Sequence, residues 1–122
     1  FVFEDKTQPA PSPTPVPTPD KPKFRFSKKL VFIPWDSNTN APVDVDLNNS
    51  QKVDVIALQD CLKFEGLFPS NIESTGYFGA VTAKSVLQFQ QKYTIDTEEA
   101  LLALAGREVG PKTRQKLNEI YS

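Results

Sequence analysis

The chain has 122 residues and not one histidine. That absence removes the commonest general base and the commonest metal ligand together. A Ser-His-Asp or Cys-His arrangement is impossible within it. Cysteine occurs once, at Cys61, so no internal disulfide forms and a zinc site would need carboxylates alone. Cys61 falls inside a helical pattern, where the plain reading is a small buried apolar residue. An intermolecular bridge is the alternative if the protein is exported. Methionine is also absent and the chain begins Phe1-Val2-Phe3. A processed product or an excerpt is therefore expected, with any export signal already removed. No apolar run approaches the roughly 20 residues that span a bilayer. The net charge of −1 gives no bulk electrostatic argument for nucleic acid or an anionic membrane surface. Acidic pairs such as Glu98-Glu99 sit at what reads as a solvated helix start, and no paired carboxylates fall in a cleft pattern. The chain is expected to be no enzyme and to need no cofactor or metal.

What the chain has in excess is proline at one end. Residues 7–22 hold seven prolines. Proline fixes φ and withholds the backbone donor, so this stretch is neither helix nor sheet. It reads as a polyproline-II-like spacer reaching about 50 Å at ~3.1 Å per residue. A ligand for a proline-recognising module is the alternative, and the interspersed Ser and Thr also fit a glycosylated stalk. Residues 23–35 change character: Phe24 and Phe26 alternate with Lys23 and Arg25, and Leu30-Val31-Phe32-Ile33 is a buried run ended by Pro34-Trp35. The alternation predicts a half-buried strand with a solvated basic face, a plainer reading than nucleic-acid binding by interleaved basic and aromatic residues. Residues 36–50 are rich in turn formers. Asp44 and Asp46 superficially suggest calcium, but the EF-hand spacing is missing. Val43 to Leu47 alternates and is expected to pair as a short strand with the 24–33 arm.

The remainder carries helical periodicity. A first helix is expected from about Ser50–Lys52, stopped at Gly66, with Val55, Leu58, Cys61 and Leu62 facing the core. A second is expected over about Ala80–Lys92, a short one within Asp96–Ala105, and a last one over about Pro111–Tyr121. Between the first two lies Gly76-Tyr77-Phe78-Gly79, a tight turn, with Phe78 expected buried and Tyr77 at least half exposed. The turn recurs: Gly79 matches Gly110, Thr82 matches Thr113 and Val86 matches Leu117, all with an offset of 31. Pro111 suits the first helical position. Two turns of one design, each launching a helix, predict two pseudo-equivalent half-motifs in one small domain.

On these residues the chain resembles a known family. Val55-x-x-Leu58-Gln59-x-x-Leu62 with Gly66, Thr75 to Gly79 with Thr82, Val86 with Phe89-Gln90, and Val109-Gly110-Pro111-x-Thr113-Arg114-x-x-Leu117-Asn118 are similar to the small three-helix peptidoglycan-binding domain of cell-wall hydrolases and phage endolysins. The pattern departs at Ser74-Thr75, where the family usually has an acid, and at Gly106-Arg107-Glu108. The resemblance implies a mainly α fold, a three-helix bundle over 51–122; the residues before it read as an extended arm and irregular loop over 23–50 packing on the bundle, longer than the family's usual connection, and a proline-rich linker over 1–22. It implies a non-catalytic module that binds peptidoglycan, through its glycan or its stem peptide, and tethers a larger protein or assembly to the bacterial envelope, outside the cell. Protein partners through the proline-rich arm are a further expectation. The alternative is an anchoring protein of a surface appendage or phage virion using the same fold for protein contacts. An exposed patch of Phe1, Phe3, Trp35 and Phe68 would favour that alternative. A wall polymer needs an exposed aromatic and a few convergent polar groups. The candidates are Tyr77, Thr82, Gln88, Gln91 and Arg114, with Thr82 and Gln90 equally suited to holding the turns together.

Overall fold

The computed structural model describes residues 21–122. The spacer expected over 1–22 lies almost wholly outside the described residues, as do Phe1 and Phe3. Four helices make the body: α1 (Val45–Phe64), α2 (Ala80–Lys92), α3 (Glu98–Leu104) and α4 (Pro111–Tyr121). Among the described residues four two-residue strands accompany them: β1 (Leu30–Val31), β2 (Trp35–Asp36), β3 (Ala41–Pro42) and β4 (Glu108–Val109). The fold is mainly helical, a small bundle with an extended N-terminal arm, as the sequence predicts.

The first helix starts earlier than its pattern suggests. The Val43–Leu47 alternation predicts a strand, but Asp44 caps α1, its carboxylate accepting from the Leu47 N–H at 2.9 Å. An N-cap bond satisfies a donor that the helix would otherwise leave open. Helical spacing then takes over: Gln51, Asp54, Val55, Leu58, Gln59 and Leu62 are all buried. The 36–50 excursion thus shrinks to a β2–β3 hairpin with Trp35 opposite Pro42 and Asp36 opposite Ala41. The partner of the arm is instead β4, antiparallel to β1, with Leu30 opposite Val109.

Two side-chain amides extend that short ladder. Gln51 on α1 accepts from the Val31 N–H (3.2 Å) and donates to the Val31 carbonyl (2.8 Å). Asn118 on α4 does the same for Phe26, at 2.7 and 2.9 Å. Each amide presents one acceptor and two donors and so stands in for a neighbouring strand. Phe26, Leu30 and Ile33 enter the core with Val55, Leu58, Phe78, Val86, Phe89 and Leu117. Phe68 is buried as well. Phe68 therefore adds nothing to the exposed patch that would favour the anchoring alternative, because it turns inward beyond the end of α1 to pack in that core. Cys61 is fully buried. Burial, then the negative charges of Asp60 and Glu65, push its thiol up to about 12, which keeps it a neutral core residue.

The end of α1 is tied to the end of α4 by a nearly buried carboxylate. Glu65 accepts from Lys92 Nζ at 2.6 Å, from the Tyr93 hydroxyl at 2.8 Å and from the Tyr121 hydroxyl. Burial pushes the Glu65 carboxyl up, but the bonds from Lys92, Tyr121 and Tyr93 and the Lys92 charge outweigh it and hold the group below its ordinary value. A depressed carboxylate adds stability that is fully present above its unfolded pKa of about 4.3 and is lost as pH falls through the folded value. Glu65→Gln should therefore lower the melting temperature at pH 6 to 7, with the deficit shrinking below about pH 4. A deficit independent of pH in thermal melts would mean that the charge on Glu65 is not what is held.

Candidate functional site

The two turns anticipated from the 31-residue offset are built alike, and the likeness runs deeper than the sequence pattern. Gln59, on α1, donates from Nε2 to the Tyr77 carbonyl and to Thr82 Oγ1, both at 3.0 Å. Gln90, on α2, donates from Nε2 to the Glu108 carbonyl at 3.3 Å and to Thr113 Oγ1 at 3.0 Å. Glutamine, carbonyl and threonine all repeat at 31. Gly76 has a φ of +85° and lies so close to α1 that an added Cβ would sit 3.0 Å from the Lys52 carbonyl. Gly106, with a φ of +75°, presses in the same way on the Ala83 carbonyl, and Lys52 to Ala83 is again 31. Positive φ and contact with a helix backbone both demand glycine. Gly79 and Gly110 are the N-caps of α2 and α4. The match differs at one atom. Gln59 Oε1 accepts from the Gly76 N–H at 3.0 Å, whereas Gln90 Oε1 is buried without a partner.

The first turn borders an open groove of about 210 Å³. Ile72 and Val81 give it exposed apolar walls, and Glu73, Thr75 and Tyr77 line it with a carboxylate, a hydroxyl and an aromatic face. Tyr77 is less open than the expected half. Its hydroxyl donates to the Ile33 carbonyl at 2.6 Å, pinning the turn to the arm, and burial pushes its phenol up. The exposed aromatic beside this turn is Trp35, 49% accessible. Its ring meets Tyr77 edge-on, with centroids 5.3 Å apart and planes at 71°. Trp35 and Tyr77 thus form an aromatic shelf that reaches the groove through Tyr77.

Of the five candidates, the structure brings Tyr77 and Thr82 together at this groove. Thr82 is 2% exposed and its hydroxyl is engaged by Gln59. Gln88 is half-buried on α2. Gln91 is exposed and donates to Glu98 Oε2 at 2.9 Å, joining α2 to α3. Arg114 lies on α4, its Nη1 donating to the Val109 carbonyl at 3.1 Å. Sequence reading missed Trp35 as a member of the shelf. The available signal was its place just before Asp36-Ser37-Asn38, turn formers that open a hairpin and leave its first residue at the surface.

The groove offers an aromatic face, apolar walls, a hydroxyl and a carboxylate, groups that can hold a ligand. Among the described residues no three His, Cys, Asp or Glu side chains converge as a metal site, and no helix is long and apolar enough to cross a membrane. Residues 51–98 match the family model described as "Putative peptidoglycan binding domain". The match takes in most of α1, the first turn and α2, and reaches the start of α3. It points to peptidoglycan as the ligand and to the cell envelope as the setting, and the family it describes is one of binding domains. Neither the curated proteins nor the solved structures contain a match to the chain.

Proposed function

We propose that this chain is a non-catalytic peptidoglycan-binding module that tethers a larger protein or assembly to the bacterial envelope from the outside. The observation that carries the reading is the Trp35–Tyr77 shelf, exposed at Trp35, beside the groove of the first turn, with Tyr77 inside the matched segment. The apolar faces of wall sugars stack on an aromatic ring, and their hydroxyl and acetamido groups need polar partners at its edge. Trp35 supplies the stacking face. Thr75 and Glu73 supply the polar edge, and Ile72 and Val81 the apolar walls. Tyr77 and Thr82 set the shape of the site, and Gln88, Gln91 and Arg114 stand outside this groove. The proline-rich residues 1–22 serve as the spacer to the tethered partner.

Cosedimentation with purified sacculi tests the reading. The intact chain should pellet saturably with sacculi and be released by soluble fragments of the same wall. A folded chain that stays in the supernatant at every sacculus concentration would exclude it.

A further inference from the structure

A proline-rich segment is also a ligand. Polyproline II is extended before it binds, so it loses little freedom on docking, and its ridges fit surfaces lined by aromatic rings. This chain carries both halves of such a contact. Polyproline II repeats every three residues. Between Thr7 and Pro19 that period sets Ala10, Pro13, Val16 and Pro19 in one row, all apolar and small. The other two rows carry Gln8, Ser12, Thr14 and Thr18 among their prolines, and no residue from 7 to 19 is charged. The matching surface is the shelf. Trp35 is half exposed and is braced edge-on by Tyr77. The brace is itself fixed: the Tyr77 hydroxyl donates to the Ile33 carbonyl, and the Ile33 N–H donates to the Phe78 carbonyl at 3.0 Å. The groove of the second turn has no aromatic lining and offers no such face.

Reach decides whether the two can meet. The described residues begin at Lys21, and the Phe24 N–H donates to the Tyr121 carbonyl at 2.9 Å. The segment therefore joins the body beside the end of α4. A body of this size is about 35 Å across. At ~3.1 Å per residue, Val16 lies about 15 Å and Ala10 about 34 Å along the chain from Lys21, so the apolar row spans the distances at which Trp35 can lie. We propose that the proline-rich segment of this chain docks in cis on the Trp35–Tyr77 shelf, with its row of Ala10, Pro13 and Val16 against the open face of Trp35. The covalent tether holds the segment at a millimolar effective concentration, which populates even a weak contact. Segment and external ligand then compete for one ring. The inference rests on the shelf and not on wall binding, so the failure of one leaves the other standing.

Trp35 is the only tryptophan of the chain, so its fluorescence reads the shelf directly, with no sacculi present. The test is acrylamide quenching of the full chain and of two variants of it. Pro13→Glu/Val16→Glu charges the apolar row, and Pro11→Glu/Thr14→Glu puts the same charge on another row. All four positions precede the described residues, so both variants keep the fold. A contact of millimolar affinity at millimolar effective concentration is occupied about half the time. The quenching constant should therefore rise about twofold in Pro13→Glu/Val16→Glu and stay at the full-chain value in Pro11→Glu/Thr14→Glu. Equal quenching of all three proteins would overturn the proposal, and so would an equal rise in both variants. Protection that grows with protein concentration would place the segment on a second copy and overturn docking in cis.

Discussion

Removing residues 21–43 is expected to unfold the domain. The arm looks peripheral, two residues of strand and a hairpin, yet Phe26, Leu30 and Ile33 are each at most 2% exposed. Burying such side chains contributes about 1.5–3 kcal/mol apiece. The three together approach the ~5–15 kcal/mol by which a domain of this size is stable. The deletion also opens both ends of bonds that the helices have committed. Gln51 and Asn118 lose the backbone of Val31 and Phe26, and the Arg107 and Phe78 carbonyls lose the N–H groups of Phe32 and Ile33. The cut belongs before Asp44, because a break at residue 51 would sever α1 and confound arm with helix. Circular dichroism of 44–122 against 21–122 decides the matter: the short fragment should show no cooperative melt. Equal melting temperatures would mean that the arm is an ornament.

The second large effect is expected at Gln59. It is 1% exposed and satisfies three groups of the first turn: the Gly76 N–H, the Tyr77 carbonyl and the Thr82 hydroxyl. Gln59→Leu keeps the volume and leaves the Gly76 N–H without its acceptor, while the Tyr77 carbonyl keeps the Gly79 N–H at 3.1 Å and the Thr82 hydroxyl at 3.5 Å. The orphaned donor costs about 1–3 kcal/mol and the two other lost bonds about 0.5–1.5 kcal/mol each, so the variant should lose about 4 kcal/mol in denaturant melts. Gln90→Leu should lose less, since the bond to Glu108 is longer and its own Oε1 already lacks a partner. Equal losses for the two substitutions would contradict the asymmetry drawn between the turns.

Much of this was legible in the residues. Helical periodicity with Gly79, Gly110 and Pro111 as starts predicts α2 and α4 at the residues where they occur. The Gly-x-x-Thr repeat predicts two equivalent turns. What it does not predict is the role of Gln59 and Gln90, because a polar residue inside an apolar pattern gives no sign of the carbonyl it will meet. The start of α1 was hidden because Val43–Leu47 fits both periods, and only the Asp44 cap decides between them. The register of the arm was hidden for a different reason. It is set by amides and carbonyls far away in sequence, 92 residues between Phe26 and Asn118 and 44 between Ile33 and Tyr77. The shelf depends on that register, so the sequence names Tyr77 as the exposed aromatic where the structure exposes Trp35. A local pattern fixes which face of a helix is apolar; it does not fix which loop comes to lie beside it.

The central claim is that a wall polymer is held on the Trp35–Tyr77 shelf. Its most direct test is a pair of sacculus binding isotherms, for the intact chain and for Trp35→Ala, each first shown to melt cooperatively. Trp35 is half exposed, so the substitution should spare the fold while removing the stacking face. Saturable binding by the intact chain is expected, with an apparent affinity at least about tenfold weaker in Trp35→Ala, the scale of one lost aromatic contact. Superimposable isotherms from two folded proteins would contradict it and place the ligand elsewhere on the molecule.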